Sequence, residues 1–514
     1  MKVRRLSVAS IVVIVLLIIH LLPVWVFMYF PTQDGASHIY NSYVLKEYHK
    51  HENYRLREVY KLNLTLFPNW TSHILMASLM YVFPPIICEK ILLTLCIGLL
   101  PLSLFYFLRG VEKASPLFGL VGFIYAYNYL LHMGFYNFVL SMSLFFFALG
   151  YWWRHRSKPS TTSIVVMYVL LLVTYLTHFH SYSLLIISLT FFAIFSSVYD
   201  TLHKTWGYKE ISTANDKTLV NRLKVIATTL KPTLIFLGSM LPAYFIMFSY
   251  YLYLAASEDD GDYRSFEWLK DYFFSMKSLV AFRDDHILIG HVLLVVFAIA
   301  FLLTVIDRVR QIYDWRRSKE SGRLGERLWT RIVTRRDGFL LMAAIVTAMY
   351  FEYPWSRYGG GWINDRFHIY IFLMLLPFFS VNLHRYINYA TAGIIIALSL
   401  WHLGYNVQTY YLLNRDIADA ISSAGMYEEH TILTSQPGEW GGPSDSLGMT
   451  PKYVAPFLHV ECFLAVKNGI AYLNNYEAGT DHFPLNYKSR NMPADYVLVW
   501  RTEYSLRCIP STGG

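Results

Sequence analysis

Charge is scarce in this chain. Only 15% of its 514 residues are Asp, Glu, Lys or Arg, while 55% are hydrophobic and 17% aromatic; soluble domains carry about 25% charge. That shortage excludes a single aqueous core of this size and leaves a polytopic membrane protein as the class. Cysteine is scarce too. Cys88, Cys96, Cys462 and Cys508 are the only four, and none stand in a C-x-x-C pair, which argues against a metal or redox site built on thiols. Cys462 and Cys508 could pair in an oxidising compartment. Exact repeats and low-complexity tracts are also missing, which sets aside solenoids and disordered arrays.

What is present is a series of long apolar runs separated by short basic links. The net charge of +9 therefore reads as topology under the positive-inside bias, not as a nucleic-acid surface, and membrane lipids are the expected neighbours. Met1 to Arg5 followed by the apolar run Leu6 to Phe30 is too long for a secretory signal and lacks a small-residue cleavage site. It is expected to be a retained first span with its amino terminus in the cytoplasm.

Hydropathy and length place spans at approximately 6–30, 87–108, 116–131, 135–153, 161–178, 181–199, 232–254, 287–306, 338–352, 367–383 and 388–406, about eleven in all. The stretch from Trp70 to Phe83 is too short to cross. Were it to cross, the basic clusters at Arg109–Lys113, Arg154–Lys158, 200–231, 307–337 and His384–Arg385 would all face outward. Laid along the outer surface, with Trp70, His73 and Tyr81 near the headgroups, it puts every one of them in the cytoplasm.

From Asn406 the character changes. Strand-like runs Thr431–Thr434, Ile470–Leu473 and Tyr496–Trp500 alternate with helical stretches around Arg415–Ala424 and Lys452–Lys467. The expected fold is mainly α. It consists of a polytopic transmembrane bundle over residues 1–406, surface-lying helices in the first outer loop, and a small α/β domain over 407–514 on the outer face. The expected location is the cytoplasmic (inner) membrane.

Polar side chains gather on the outer side of this topology. Asp34, His38 and Asn41 follow the first span at steps of four and three, so on a helix they share one face. Asp34 suits a helix N-cap as well as a catalytic acid. His132, Gly134, Tyr136 and Asn137 lie at the second outer hairpin, and His178, His180 and Ser181 at the third. Glu352, Arg357, Trp362, Asn364, Asp365 and Arg366 crowd a later outer segment. Ionisable groups at membrane depth are costly, so such clusters are functional candidates. The i,i+2 spacing of His178 and His180 points two helical rings apart and is weak as a paired metal site. Glu258-Asp-Asp-Gly-Asp262 reads as a solvated loop, though carboxylates at that density could reach a divalent cation. Arg357 and Arg366 offer bidentate forks for phosphate oxygens, or simple anchors to lipid headgroups.

In this order the features resemble the GT-C class of polytopic glycosyltransferases. Those carrying the resemblance are Asp34 directly after the first span, the outer loop with surface helices, the hairpin Gly134-Phe-Tyr-Asn137-Phe, and the span ending Tyr175-Leu-Thr-His178. Asp365-Arg366 at the start of a late span and Asn475-Tyr-Glu477-Ala in the carboxyl-terminal domain complete the set. The resemblance implies transfer of a sugar from a polyprenyl-phosphate-linked donor to an acceptor on the outer face, with inversion. It makes Asp34 the general base. Arg366 or Arg357 would stabilise the leaving phosphate, and Asn41, Asn137, Asp365 and His180 would line the substrate site. His38, His178 or a divalent cation would orient the reacting groups. Where many relatives carry a second acid beside the first, this chain has Gly35, so a metal site there loses a ligand. A polysaccharide polymerase or ligase, or a lipid-linked-glycan transporter, is the competing expectation.

Overall fold

The computed structural model describes residues 7–65, 67–208, 217–256, 259–317, 333–379, 385–425, 427–436, 453–466, 469–480, 482–502 and 505–511. The basic residues expected at 209–216 and 318–332, His384, Glu258, Lys452 and Lys467 lie outside these.

Helix α1 (Val8–Val26) starts where the Ser7 side chain accepts the Ser10 backbone N–H, as an N-cap should. Much of it is uncovered: Ile11, Ile14, Val15, Ile18 and Leu22 are exposed large apolar residues, the pattern of a helix facing lipid. Between it and the bundle come α2 (Gly35–Glu47) and α3 (Thr71–Leu79). The chain continues through α4 (Pro85–Gly110), α5 (Tyr136–His155), α6 (Thr161–Thr177), α7 (Phe179–Tyr208), α8 (Lys217–Ser239) and α9 (Leu241–Ala255). Then follow α10 (His286–Arg317), α11 (Asp337–Glu352), α12 (Ile363–Leu375) and α13 (Arg385–Ser423).

Among the described residues, five helices are long and apolar enough to cross a membrane: α1, α4, α7, α10 and α13. Helices α8 and α9, bent by 45° at their junction, would make a sixth. Of the other segments expected to span, α6, α11 and α12 are shorter, at 17, 16 and 13 residues, while α5 has 20 residues but is not among the helices both long and apolar enough to cross. Residues 116–132 split into a 3-10 turn opened by Pro116 (Pro116–Leu120) and two short helices (Val121–Tyr125 and Tyr129–His132), the second capped by Asn128. Helices pack closely where glycine allows it: a Cβ on Gly150 of α5 would stand 2.9 Å from the Phe107 Cα of α4.

Helix α13 runs 39 residues without interruption, on the order of 58 Å at 1.5 Å per residue. That is about twice a bilayer core. The helical stretch expected around Arg415–Ala424 is thus the continuation of the last candidate span. Beyond it, strands β2 (Ile432–Gln436), β3 (Ala471–Tyr472), β5 (Tyr496–Thr502) and β6 (Ser505–Pro510) form a sheet in the order β3-β2-β5-β6. Strand β2 runs parallel to β3 and β5, while β5 and β6 pair antiparallel. Of the helical stretch expected over Lys452–Lys467, only Glu461–Ala465 is α-helical among the described residues. All four cysteines are free, so Cys462 and Cys508 do not pair.

The carboxyl-terminal segment is stitched to the stretch between α1 and α4. Strand β1 (Tyr60–Leu62) pairs antiparallel with β4 (Leu485–Tyr487). Tyr40 donates from its hydroxyl to Ile470 O and accepts from Tyr472 N. Helix α2, buried along most of its length, is therefore sandwiched between the bundle and this segment. That explains how a helix so poor in apolar residues is held in place.

Candidate functional site

Asp34 is fixed through its backbone. The hairpin after Tyr129 turns back on it: Gln33 N donates to His132 O at 2.9 Å and Asp34 N to Met133 O at 3.3 Å. Gly134 sits at φ +88°, and a Cβ there would come within 2.9 Å of both Asp34 N and Asp34 Cβ. Glycine is required twice over, for the left-handed backbone and for the close approach. Asp34 stands at the N-cap position of α2, but its φ of −99° and ψ of −3° are helical and its side chain makes no capping bond. Its carboxylate is thus left for another partner.

The shared face expected for Asp34, His38 and Asn41 exists, and one short stretch of the carboxyl-terminal segment covers it. Asp34 lies against Tyr476, within hydrogen-bonding reach. His38 Nδ1 lies 2.8 Å from Glu477 Oε1. Asn41 Nδ2 donates to Asn475 Oδ1 at 3.2 Å, and Asn475 Nδ2 returns a bond to Asn41 Oδ1 at 2.9 Å. The Asn475-Tyr-Glu477 motif is therefore complementary to α2, residue for residue.

Burial raises the Asp34 carboxyl to about 6; His38 opposes the rise and Glu477 adds to it. Burial alone would lower the His38 imidazole, but the Glu477 and Asp34 carboxylates hold it up at about 8. Burial pushes His459 down to about 4, so it is neutral at pH 7. Its Nε2 lies 3.7 Å from Asp34 Oδ1, and its ring stacks on Tyr476 at 4.6 Å.

Asp34 and His38 open onto a cavity of about 970 Å³. Asn137, His178, His180, Arg357 and Arg366 line the same cavity. Three of these keep free polar atoms: His178 Nδ1, His180 Nε2 and Arg366 Nε are buried without hydrogen-bond partners. The Arg366 guanidinium lies over Phe135 and Phe138 at 5.5 and 5.7 Å. One wall is apolar, formed by Met247, Phe248, Tyr251 and Leu254 of α9, and Phe248 is 60% exposed on the outside of the molecule.

Two expected site residues do not line the cavity. Asn41 is fully buried and occupied by Asn475 and by the Ser37 carbonyl. Asp365 is fully buried and accepts a hydrogen bond from the Tyr272 hydroxyl. Asn137 does line it, but its amide is spent on the helix start: Oδ1 accepts from Ser72 N and Nδ2 donates to Asn69 O, both at 2.9 Å. Arg357 Nε donates to Asp259 O at 2.9 Å. Asp259 Oδ1 in turn accepts Gly261 N at 2.8 Å and Oδ2 accepts Tyr358 N, so this member of the acidic run folds a loop. His132 is buried between the Asn128 carbonyl and the Tyr410 hydroxyl.

Four residues enter whose contacts at this site the sequence does not show. His73 was expected near the headgroups; it is fully buried, with Nε2 2.8 Å from Glu477 Oε2. Tyr476 and His459 come from the far end of the chain, and no local pattern points from them to Asp34. Glu89 had a signal, being a carboxylate at the start of an apolar helix. It accepts from the Tyr136 hydroxyl at 2.5 Å, and Tyr136 also bonds Thr32. A Cβ on Gly35 would collide with Thr32, Tyr136 and Glu89, so glycine at that position is explained by packing. With a single carboxylate and a neutral histidine, the immediate surroundings of Asp34 do not make the oxygen-rich set a hard cation needs.

No family model matches this chain, and no curated protein matches its sequence.

Proposed function

We propose that this protein is an integral-membrane glycosyltransferase of the GT-C kind, moving a sugar from a polyprenyl-phosphate donor to an acceptor on the outer face of the membrane. The observation that carries the reading is one cavity lined by an acid of raised affinity for protons, two arginines and two histidines with free ring nitrogens. Its apolar α9 wall suits the hydrocarbon next to a lipid phosphate, and the cations suit the phosphate itself.

In this reading Asp34 takes the proton from the acceptor hydroxyl or amine as that atom attacks the anomeric carbon. The new glycosidic bond forms as the bond to the phosphate oxygen breaks. Configuration inverts, and the departing polyprenyl phosphate keeps the electron pair, its charge met by Arg366 and Arg357. The topology that goes with it has about eleven crossings, the shorter helices completing the count, with the basic links inside and the carboxyl-terminal domain outside.

The test is transfer from polyprenyl-phosphate sugars by the purified full chain in lipid. Asp34→Asn is expected to lose at least about 100-fold in rate with yield and melting temperature kept. Undiminished transfer in that variant overturns the reading.

A further inference from the structure

His38, His73 and Glu477 place their ligating atoms within 4.8 Å of one another, all three residues buried. His38 Nδ1 and His73 Nε2 are 3.3 Å apart, and each lies 2.8 Å from one oxygen of Glu477. Donors around a tetrahedral zinc, bonded at about 2.0–2.1 Å, stand roughly 3.3 Å apart.

The outer nitrogens decide what the inner ones offer. His38 Nε2 lies 2.9 Å from Gly134 O, and His73 Nδ1 lies 3.3 Å from Asn69 O. A carbonyl only accepts, so His38 Nε2 carries a hydrogen; His73 Nδ1 also has the Ser72 hydroxyl at 3.3 Å, and when it donates to Asn69 O its Nε2 is left as the free donor atom. Once a metal displaces the proton held between the rings and Glu477, His38 Nδ1 and His73 Nε2 present their lone pairs to one point beside the carboxylate. Backbone carbonyls holding the far side of each ring are the usual support of metal-bound imidazoles. Glu477 Oε1 adds a second observation: it is buried, 2.8 Å from His38 Nδ1, yet no donor is aligned with it for a hydrogen bond. Phe483 lies against both rings, at 6.0 and 5.6 Å.

We infer that His38, His73 and Glu477 bind a zinc-class divalent ion that clips α2 and α3 of the first outer loop to the carboxyl-terminal segment. Two imidazoles and a carboxylate suit zinc and its borderline neighbours, not magnesium or calcium. The three ligands come from three separate pieces of chain, so the ion holds together the wall of the cavity that carries Asp34. The inference stands independently of the transfer reaction.

The test uses the full chain purified in detergent with a tag free of histidine and without chelators. Metal analysis is expected to find about one equivalent of zinc-class metal. A strong chelator should lower the melting temperature by several degrees, and Zn²⁺, not Mg²⁺, should restore it. His73→Gln should lose the metal and the chelator response, while His459→Gln, which removes a neighbouring imidazole outside the triad, should keep both. If His73→Gln fails to fold, His73→Cys keeps three donors, and its Co²⁺ form should gain a thiolate-to-metal charge-transfer band. Metal-free protein whose melting ignores both chelator and Zn²⁺ would overturn the inference and leave the triad a histidine–carboxylate ion pair.

Discussion

Asn41 and Asn475, 434 positions apart in the chain, exchange side-chain hydrogen bonds in both directions. Both are fully or almost fully buried. A reciprocal amide pair fixes register as well as distance, because sliding by one residue would leave two donors and two acceptors unpaired. This pair therefore sets Tyr476 opposite Asp34 and Glu477 opposite His38.

Removing both amides should cost less than the two single removals added together. Asn475→Ala leaves Asn41 Oδ1 buried without a donor, at about 1–3 kcal/mol, and Asn41→Ala does the reverse. We expect each single variant to melt lower and to be cut faster by protease in the carboxyl-terminal segment. The double variant should lose less than the sum. Strictly additive losses would mean that the two amides act separately.

Gly134 should tolerate no side chain. At φ +88°, with a Cβ only 2.9 Å from Asp34 N, Gly134→Ala meets left-handed strain of about 1–2 kcal/mol plus a backbone clash. Melting temperature and sugar transfer should fall together, since the displaced backbone is that of Asp34. Wild-type transfer from a Gly134→Ala protein would show that the hairpin does not position the acid.

These contacts also mark what could be read from the sequence. The apolar runs of α1, α4, α7, α10 and α13 announced themselves, because lipid demands about twenty consecutive apolar residues. The common face of Asp34, His38 and Asn41 was visible because helical spacing is local. What covers that face was not: Tyr476, Glu477 and His459 reach it only after the chain has passed through the whole bundle. Nor was the burial of His73 legible, since a polar residue on a short helix beside a membrane looks alike whether it meets headgroups or a distant carboxylate. Length alone also misjudged Asn406, where a continuous helix carries the last candidate span straight on towards the carboxyl-terminal sheet.

Glu461 should make stability depend on pH. Burial raises its carboxyl to about 7; Trp500 Nε1 donates to Oε1 at 2.6 Å, while Oε2 has no partner. The folded state favours the protonated form, so this group is destabilising once ionised. Its penalty is absent below the usual glutamate value of 4.5, grows as pH rises through about 7, and is constant above that. Glu461→Gln should therefore raise the melting temperature at pH 8, by up to about 3 kcal/mol equivalent, and change little at pH 4.5. An equal effect at both pH values would refute the buried-carboxylate account.

If the protein transfers a sugar from a lipid phosphate as proposed, Arg366 offers the sharpest test of how the leaving group is held. Its Nε is buried without a partner and its guanidinium lies over Phe135 and Phe138, so the rings orient the plane while the fork stays available. Lysine keeps the charge but loses both the stacked plane and the bidentate geometry. If the fork meets charge that develops only as the sugar–phosphate bond breaks, Arg366→Lys should lower kcat by about tenfold or more with little change in KM. Arg366→Met should lower it by about 10²–10³. Arg357, whose Nε is already committed to Asp259 O, should respond more mildly to the same Lys substitution. The reverse order, with Arg357→Lys crippling and Arg366→Lys silent, would move the phosphate to the other end of the cavity. A rise in KM with kcat unchanged would make Arg366 a binder of the ground-state donor.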